Sequence, residues 1–345
     1  VTVERVPATG RSGIREVAAA AGVSESTVSN VLNNPQIVAA KTRRRVERAM
    51  EDLDFVRSRA AGQLRGAPSS VVGSIVLDSA NSFFAEVARA IEDRLIESGC
   101  MQLLFSSDLH LARENQCLKL LEEHAVRGII INPVNSELDG LLRLGSRGIP
   151  VVLLDRSRGD TDLCAVTADN VRGGELAAAH LLELGHRRIV FLGGSITVDT
   201  ITARRTGAGR ACVAAGLDPA EVLVDIRHAP AAIDGPEASV DHILALRPLP
   251  TAIICTNDTA AVGVLRGLRR AGVSVPAGMS VVGYDDVHFA SELSPPLTTV
   301  RQAKASLGRA AADLLLSEGR PGHRHQELVF TPELVVRAST SSPRA

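Results

Sequence analysis

Seven short apolar, β-rich runs punctuate the chain: "VVGSIVLD", "MQLLFS", "RGIIIN", "IPVVLLD", "RRIVFLGG", "TAIICT" and "SVVGYDD". Amphipathic stretches alternate with them at 83–98, 111–124, 170–184, 200–215, 235–246, 258–271 and 303–317. This alternation restricts the fold more than any other feature. Parallel strands need long crossover connections, and helices supply them while covering the faces of the sheet. The pattern runs from Val71 for roughly 270 residues, more than one open sheet comfortably holds. Two α/β halves with parallel sheets are therefore expected.

The segment before Val71 has a different texture. Ile14, Val17, Ala18 and Ala21 fall at helical spacing, and Gly22 stops that helix. Ser24 can cap a second helix that buries Val28, Val31 and Leu32, which Pro35 ends. A third helix buries Val46, Ala49, Met50 and Leu53, while the first twelve residues are polar and expected to be disordered. Net charge is −1, yet residues 1–66 carry eleven Lys or Arg against seven Asp or Glu. A basic segment on an acidic body suits one part that meets a polyanion. The second helix is lined with Ser24, Ser26, Thr27, Ser29, Asn30 and Asn33, small enough to lie deep in a major groove. Asn30 can bond adenine N6 and N7, and Ser26 can reach either base type. The plainer alternative is an αα-hairpin with solvated serines.

Five widely spaced cysteines without a CxxC pair read as buried thiols in a reducing compartment. The opening "VTVERVPATGRSG" has no apolar core, and no apolar run is long enough to span a bilayer. A cytoplasmic protein with no membrane partner is expected. Enzyme signatures are missing: no GxSxG elbow, P-loop or HExxH occurs, and "GAGRAC" (207–212) lacks a third glycine and falls inside a helix. The histidines of "HLLELGH" (180–186) are too far apart for a shared metal and read as a surface turn. No enzyme, cofactor or metal is expected.

The stretch "IREVAAAAGVSESTVSNVLNNPQIVAAKTRRRVERAMEDLDF" resembles the DNA-binding headpiece of the LacI/GalR family of bacterial transcription regulators. Similarity continues through "NSFFAEVARAIED", "VRGIII", "PVVLLDR", "HLLELGHRRIVFLGG", "TAIICTNDTAAVGVLRGLRRAGVSVP", "SVVGYDDV", "PPLTTVRQ" and "ELVVRAST". The resemblance implies a dimeric operator-binding regulator, most often a repressor. It also implies a two-lobed, periplasmic-binding-protein-like domain holding a small-molecule effector, a sugar or sugar derivative. It divides the chain into a leader (1–12), a helix-turn-helix headpiece (13–57), a hinge helix and linker (58–70), an effector domain (71–338) and a tail (339–345). Crossings between lobes fall near 168–171, 296–301 and 326–330. Alternatives are an activator, a corepressor-dependent regulator with a non-sugar ligand, or a solute-binding protein.

The same resemblance places Glu25, Ser26 and Asn30 at base-reading positions, and Ser24, Thr27, Ser29, Asn33 and Thr42 at phosphates. Arg43 joins them as a basic group that would weaken all DNA sequences alike if lost. Glu25 stays open between accepting from cytosine N4 and favouring the helix dipole. Ala39 stands where the family has a capping serine, so α-helical capping is lost there. Leu64 falls at the leucine wedged into the minor groove, with Ala61 beside the partner hinge. Arg57-Ser58 replaces the family's Pro-Asn, and Gly62 weakens an isolated helix, so a plain linker is the alternative.

Ligands of open α/β sheets bind beyond the carboxyl ends of the strands. Those ends carry Asp78–Ser79, Ser107–Asp108, Asp155, Asn257–Asp258 and Asp285–Asp286. Carboxylates and amides suit a polyhydroxylated ligand. Ser79, Ser107, Asp155, Asn257 and Asp285 read as contacts, and Asp258 as a helix cap. The resemblance adds Arg204 as the effector-binding arginine, and Phe83 and Phe84 near the cleft mouth. With no tryptophan and one tyrosine, aromatic stacking is sparsely supplied.

Overall fold

The computed structural model describes residues 12–56, 69–194, 199–228 and 233–344. The expected hinge contacts Ala61 and Leu64, and nearly all of the expected leader, lie outside the described residues. The chain divides into two compact units, Val1–Pro68 and Ser69–Ala345.

In the first unit, α1 (Ile14–Ala21), α2 (Glu25–Asn33) and α3 (Ala40–Asp52) enclose Val17, Ala21, Val28, Val31, Val46 and Ala49. Gly22 sits at φ +60°, a left-handed conformation that costs glycine little, so Val23 N–H turns back to Ala18 O at 3.0 Å. The Ser24 hydroxyl then accepts from Thr27 N–H at 3.2 Å and starts α2. Alanine at position 39 leaves α3 without a side-chain cap. Arg45 ties α3 to the turn by donating to Gly22 O at 3.4 Å.

The second unit holds two six-stranded sheets. The first contains β1 (Val71–Val76), β2 (Met101–Ser106), β3 (Gly128–Ile131), β4 (Val151–Leu154), β5 (Cys164–Ala168) and β11 (Glu327–Phe330), ordered β11-β5-β4-β3-β1-β2. The second contains β6 (Ile189–Gly194), β7 (Leu223–His228), β8 (Ala252–Cys255), β9 (Ser280–Asp285), β10 (Thr298–Arg301) and β12 (Glu333–Val335), ordered β12-β10-β9-β8-β6-β7. All ladders are parallel except β10 with β12. Helices α4 (Ser82–Glu97), α5 (Leu111–Glu123), α6 (Asp139–Ser146) and α12 (Lys304–Ser317) belong to the first lobe. Helices α7 (Asn170–Glu183), α8 (Asp199–Ala214), α9 (Pro219–Val222), α10 (Asp234–Ala245) and α11 (Asp258–Arg270) belong to the second. Buried on both faces, β3, β4 and β8 are unbroken apolar runs apart from one glycine, as parallel strands require.

The chain passes between lobes after β5. The later passages fall at 302–303 and 331–332, just beyond the expected 296–301 and 326–330, because residues 298–301 and 327–330 are themselves strands. The expected tail is also shorter. Ser339 is fully buried, donating to Val281 O at 2.6 Å, and Ser341 N–H donates to Ser280 Oγ at 3.1 Å. His186 is no surface turn: it is buried, with its ring nitrogens against Thr251 Oγ1 and Ser341 O at 2.8 and 2.9 Å. Those bonds draw the end of the chain into the second lobe.

Candidate functional site

In the first unit, α2 buries Val28 and Val31 on one side. Glu25, Ser26, Ser29, Asn30 and Asn33, at positions i, i+1, i+4, i+5 and i+8, therefore share the opposite, solvent-facing side. Ser24 Oγ lies 2.8 Å from Ser26 Oγ and 2.9 Å from Thr27 Oγ1, a local network at the helix start. Asn33 donates to Ser29 O at 2.8 Å and to Ser29 Oγ at 3.2 Å. Asn30 carries no side-chain hydrogen bond among the described residues, so its amide is available to a partner. Thr42 stands in the first turn of α3. Arg43 is 3.7 Å from Glu47, an exposed i,i+4 pair worth little in water. The α2 face presents hydroxyls and amides, and α3 adds exposed cations such as Arg43.

In the second unit, a cleft of about 140 Å³ opens between the lobes. Asp78, Asn81, Phe83, Phe84 and Asp155 line it from the first lobe, and Arg204, Thr256, Asn257 and Asp285 from the second. Arg204 is delivered by close packing of α7 on α8. A Cβ on Gly174 would stand 1.9 Å from Arg204 O, and one on Gly207 would stand 1.9 Å from Val171 O. Only glycine permits that approach. Arg204 then donates to Asn170 Oδ1 at 2.8 Å and Thr256 O at 2.5 Å, with its guanidinium 3.6 Å above the Tyr284 ring centroid.

Asp155 and Asp285 follow β4 and close β9 at φ +50° and +106°, a region L-residues rarely occupy. Both are buried. Burial pushes the Asp285 carboxyl up to about 8, although Arg204 opposes the shift. Burial likewise pushes Asp155 up to about 6, again against Arg204. Near neutral pH Asp285 thus keeps its proton, while Asp155 and Arg204 face each other as carboxylate and guanidinium, with Asp78 also on the cleft wall. Gln302 Nε2 donates to Asp285 Oδ1 at 2.8 Å, while Asp155 Oδ1 is buried with no partner among the described residues. Donors and acceptors alternate with no large net charge, and Phe83 and Phe84 pack edge to face with centroids 5.1 Å apart. This arrangement can hold a small, neutral, hydrogen-bonding molecule.

Six of the eight expected cleft residues come together: Phe83, Phe84, Asp155, Arg204, Asn257 and Asp285. Ser79 and Ser107 do not. Ser79 is exposed, its N–H donating to Ser106 Oγ at 3.2 Å, and Ser107 is buried with its hydroxyl on Val76 O at 3.3 Å. Asp78 and Asn81 line the cleft on that side. The roles at 257–258 are also redistributed. Asn257 caps α11, accepting from Ala260 N–H at 2.7 Å, while also lining the cleft. Asp258 does not cap; wholly buried, it accepts from Thr299 Oγ1 at 2.6 Å and Val287 N–H at 2.9 Å, locking β9 to β10. Tyr284 and Asn170, which position Arg204, were not legible as site residues.

Comparison with known proteins matches residues 13–58 to the bacterial regulatory proteins of the lacI family, and residues 178–340 to a periplasmic binding protein-like domain. The HTH-type transcriptional repressor PurR of Photobacterium profundum is 32% identical over 336 residues, covering 94% of this chain and 98% of the relative. The lac repressor dimer bound to operator and the anti-inducer ONPF is 28% identical, with a TM-score of 0.81 over 96% of this chain and 99% of that one. A LacI family transcriptional regulator from Enterococcus faecium with bound ribose is 29% identical, with a TM-score of 0.74 over 79% of this chain and 100% of that one.

Proposed function

The chain belongs to the lacI family of bacterial regulatory proteins, and from that premise we propose that it represses transcription from a near-palindromic operator under the control of a small effector. Two copies of the headpiece related by a twofold axis would read inverted half-sites. Asn30 and Ser26 make the base contacts. Ser24, Thr27, Ser29, Asn33, Thr42 and Arg43 hold the phosphates. Glu25 stands in the first turn of α2, where its charge favours the helix dipole. Ala61 and Leu64 serve the hinge. The observation that carries this reading is the α2 face: hydroxyls and one unengaged amide opposite a buried valine pair, beside a cationic third helix.

A homodimer is supported by β2, which among the described residues pairs only with β1 and leaves Met101, Leu103 and Leu104 roughly half exposed on an open sheet edge. Such an edge invites burial against a second copy.

The effector is a neutral, polyhydroxylated ring of about pentose size. Hydroxyls both donate and accept, as the protonated Asp285, ionised Asp155 and Arg204 together require. A planar nitrogen heterocycle is the second reading, favoured by the apolar wall of Leu77, Phe83, Phe84 and Ile201. Effector binding alters closure of the lobes and so the affinity for DNA. No helix of the described residues is long and apolar enough to cross a membrane. A gel shift on genomic fragments, run with ribose, other sugars and nucleobases, tests the proposal. It expects discrete shifted fragments, and one class of compound that changes them. Uniform retardation of all fragments would reject sequence-specific regulation.

A further inference from the structure

Opposite the cleft, at the amino end of β5, side chains from that strand and from the connection between α12 and β11 converge. Cys164 opens β5, Glu318 follows α12, and His323 lies on the return to β11. Cys164 Sγ is 3.4 Å from His323 Nε2, His323 Nε2 is 3.1 Å from Glu318 Oε1, and all three atoms lie within 4.8 Å of one another. Cys164 is fully buried, and Glu318 and His323 expose only 11% of their side chains. Glu318 Oε1 is shut off from solvent and accepts no well-aligned hydrogen bond, although His325 Nε2 also stands 3.4 Å away.

We propose that Cys164, Glu318 and His323 bind one zinc-class divalent cation, with water at the fourth corner. The spacing carries this. Zinc bonds of about 2.3 Å to sulfur and about 2.0 Å to nitrogen or oxygen separate tetrahedral ligand atoms by about 3.3–3.5 Å. The two measured edges agree within about 0.2 Å of that range. A thiolate, an imidazole and a carboxylate select zinc or cobalt over magnesium or calcium, which prefer all-oxygen shells. Support from outside the ligand set is in place: His323 Nδ1 is 3.1 Å from Ser317 Oγ, which fixes the ring and leaves Nε2 for the cation. A cation bound there would displace the thiol proton of Cys164. Bound there, the ion would pin β5, α12 and the approach to β11. Each of these leads into or out of a passage between the lobes, so the ion would stiffen the frame on which they close.

The test is a titration of chelator-treated full-length protein with Co²⁺. The expected result is one Co²⁺ per chain, with intense tetrahedral d–d bands and a sulfur-to-cobalt charge-transfer band that Zn²⁺ bleaches. Cys164→Ser should lose the charge-transfer band, and Cys117→Ser should keep it. His323→Ala should weaken binding by more than the roughly 10–100-fold that loss of a supporting partner costs. Zn²⁺ should also raise the melting temperature of the wild-type chain, a readout independent of any variant's folding. Weak octahedral spectra, a charge-transfer band that survives Cys164→Ser, or no thermal shift with Zn²⁺ would overturn the site and leave a hydrogen-bonded buttress.

Discussion

Asp285→Asn isolates the electrostatics of the cleft. The amide keeps the shape of the carboxyl, can still accept from Gln302 Nε2, and offers an N–H where the protonated acid offers an O–H. The wild-type group is fully buried and titrates near 8 in the folded chain, against an ordinary value of 3.8. Between those values the folded state holds a proton that the unfolded state has released. Stability from this group is therefore greatest below pH 3.8 and declines as pH rises through the window. The slope is about 1.4 kcal/mol per pH unit, whatever the exact upper value, so long as it lies above the range sampled. From pH 5 to 7 the wild-type chain should lose stability relative to Asp285→Asn, on the order of 3 kcal/mol. Asp155 and Asp258 remain in both proteins, and their coupling to Asp285 enters the difference only as a smaller correction. Urea unfolding of the second unit, followed by circular dichroism at pH 5, 6 and 7, measures the difference. Parallel stability curves would mean that Asp285 is already ionised in the folded cleft, and the charge count there would fail.

Asn30→Ala should relax preference at one symmetric base position and cost about 1–3 kcal/mol per half-site, read by quantitative gel shift on single-base operator variants. Arg43→Ala should instead weaken every sequence alike and reduce the salt slope by about one, measured by fluorescence anisotropy across salt concentrations. Arg204→Ala should lower effector affinity by roughly tenfold to a hundredfold, the worth of one charged hydrogen bond, while leaving operator binding intact. Calorimetry with the sugar that shifts the wild-type protein, paired with a gel shift, separates those two effects. Leu104→Lys should shift the chain from dimer to monomer on sedimentation and weaken operator binding with it, since half-exposed Leu104 lies on the open β2 edge.

Local chemistry made much of this legible from the sequence. The turn at Gly22 and the cap at Ser24 are set by one residue each, and the parallel strands announce themselves as apolar runs. Strand ends located Asp155 and Asp285, because position in an open sheet fixes where a ligand sits. Side-chain direction at those ends is a separate matter. Ser107 turns to a neighbouring strand's carbonyl, and which of Asn257 and Asp258 caps α11 depends on a backbone bend no residue type dictates. Helix α6, "DGLLRLGS", is amphipathic but only eight residues long with two glycines, so its intrinsic helix propensity is weak. Contacts between distant segments left no sequence signal: Tyr284 beneath Arg204, His186 against Ser341, and the Cys164–Glu318–His323 cluster each join parts of the chain that only the fold brings together.

Selection from a random pool of duplex DNA with the full-length chain tests the central claim most directly. If two copies of α2 read DNA across a twofold axis, successive rounds should enrich one inverted repeat, with matched half-sites at fixed spacing. Footprinting should then protect both halves equally. Enrichment of no sequence above bulk, or of a single asymmetric half-site bound by one copy, would contradict the assignment of this chain as a dimeric operator-reading repressor.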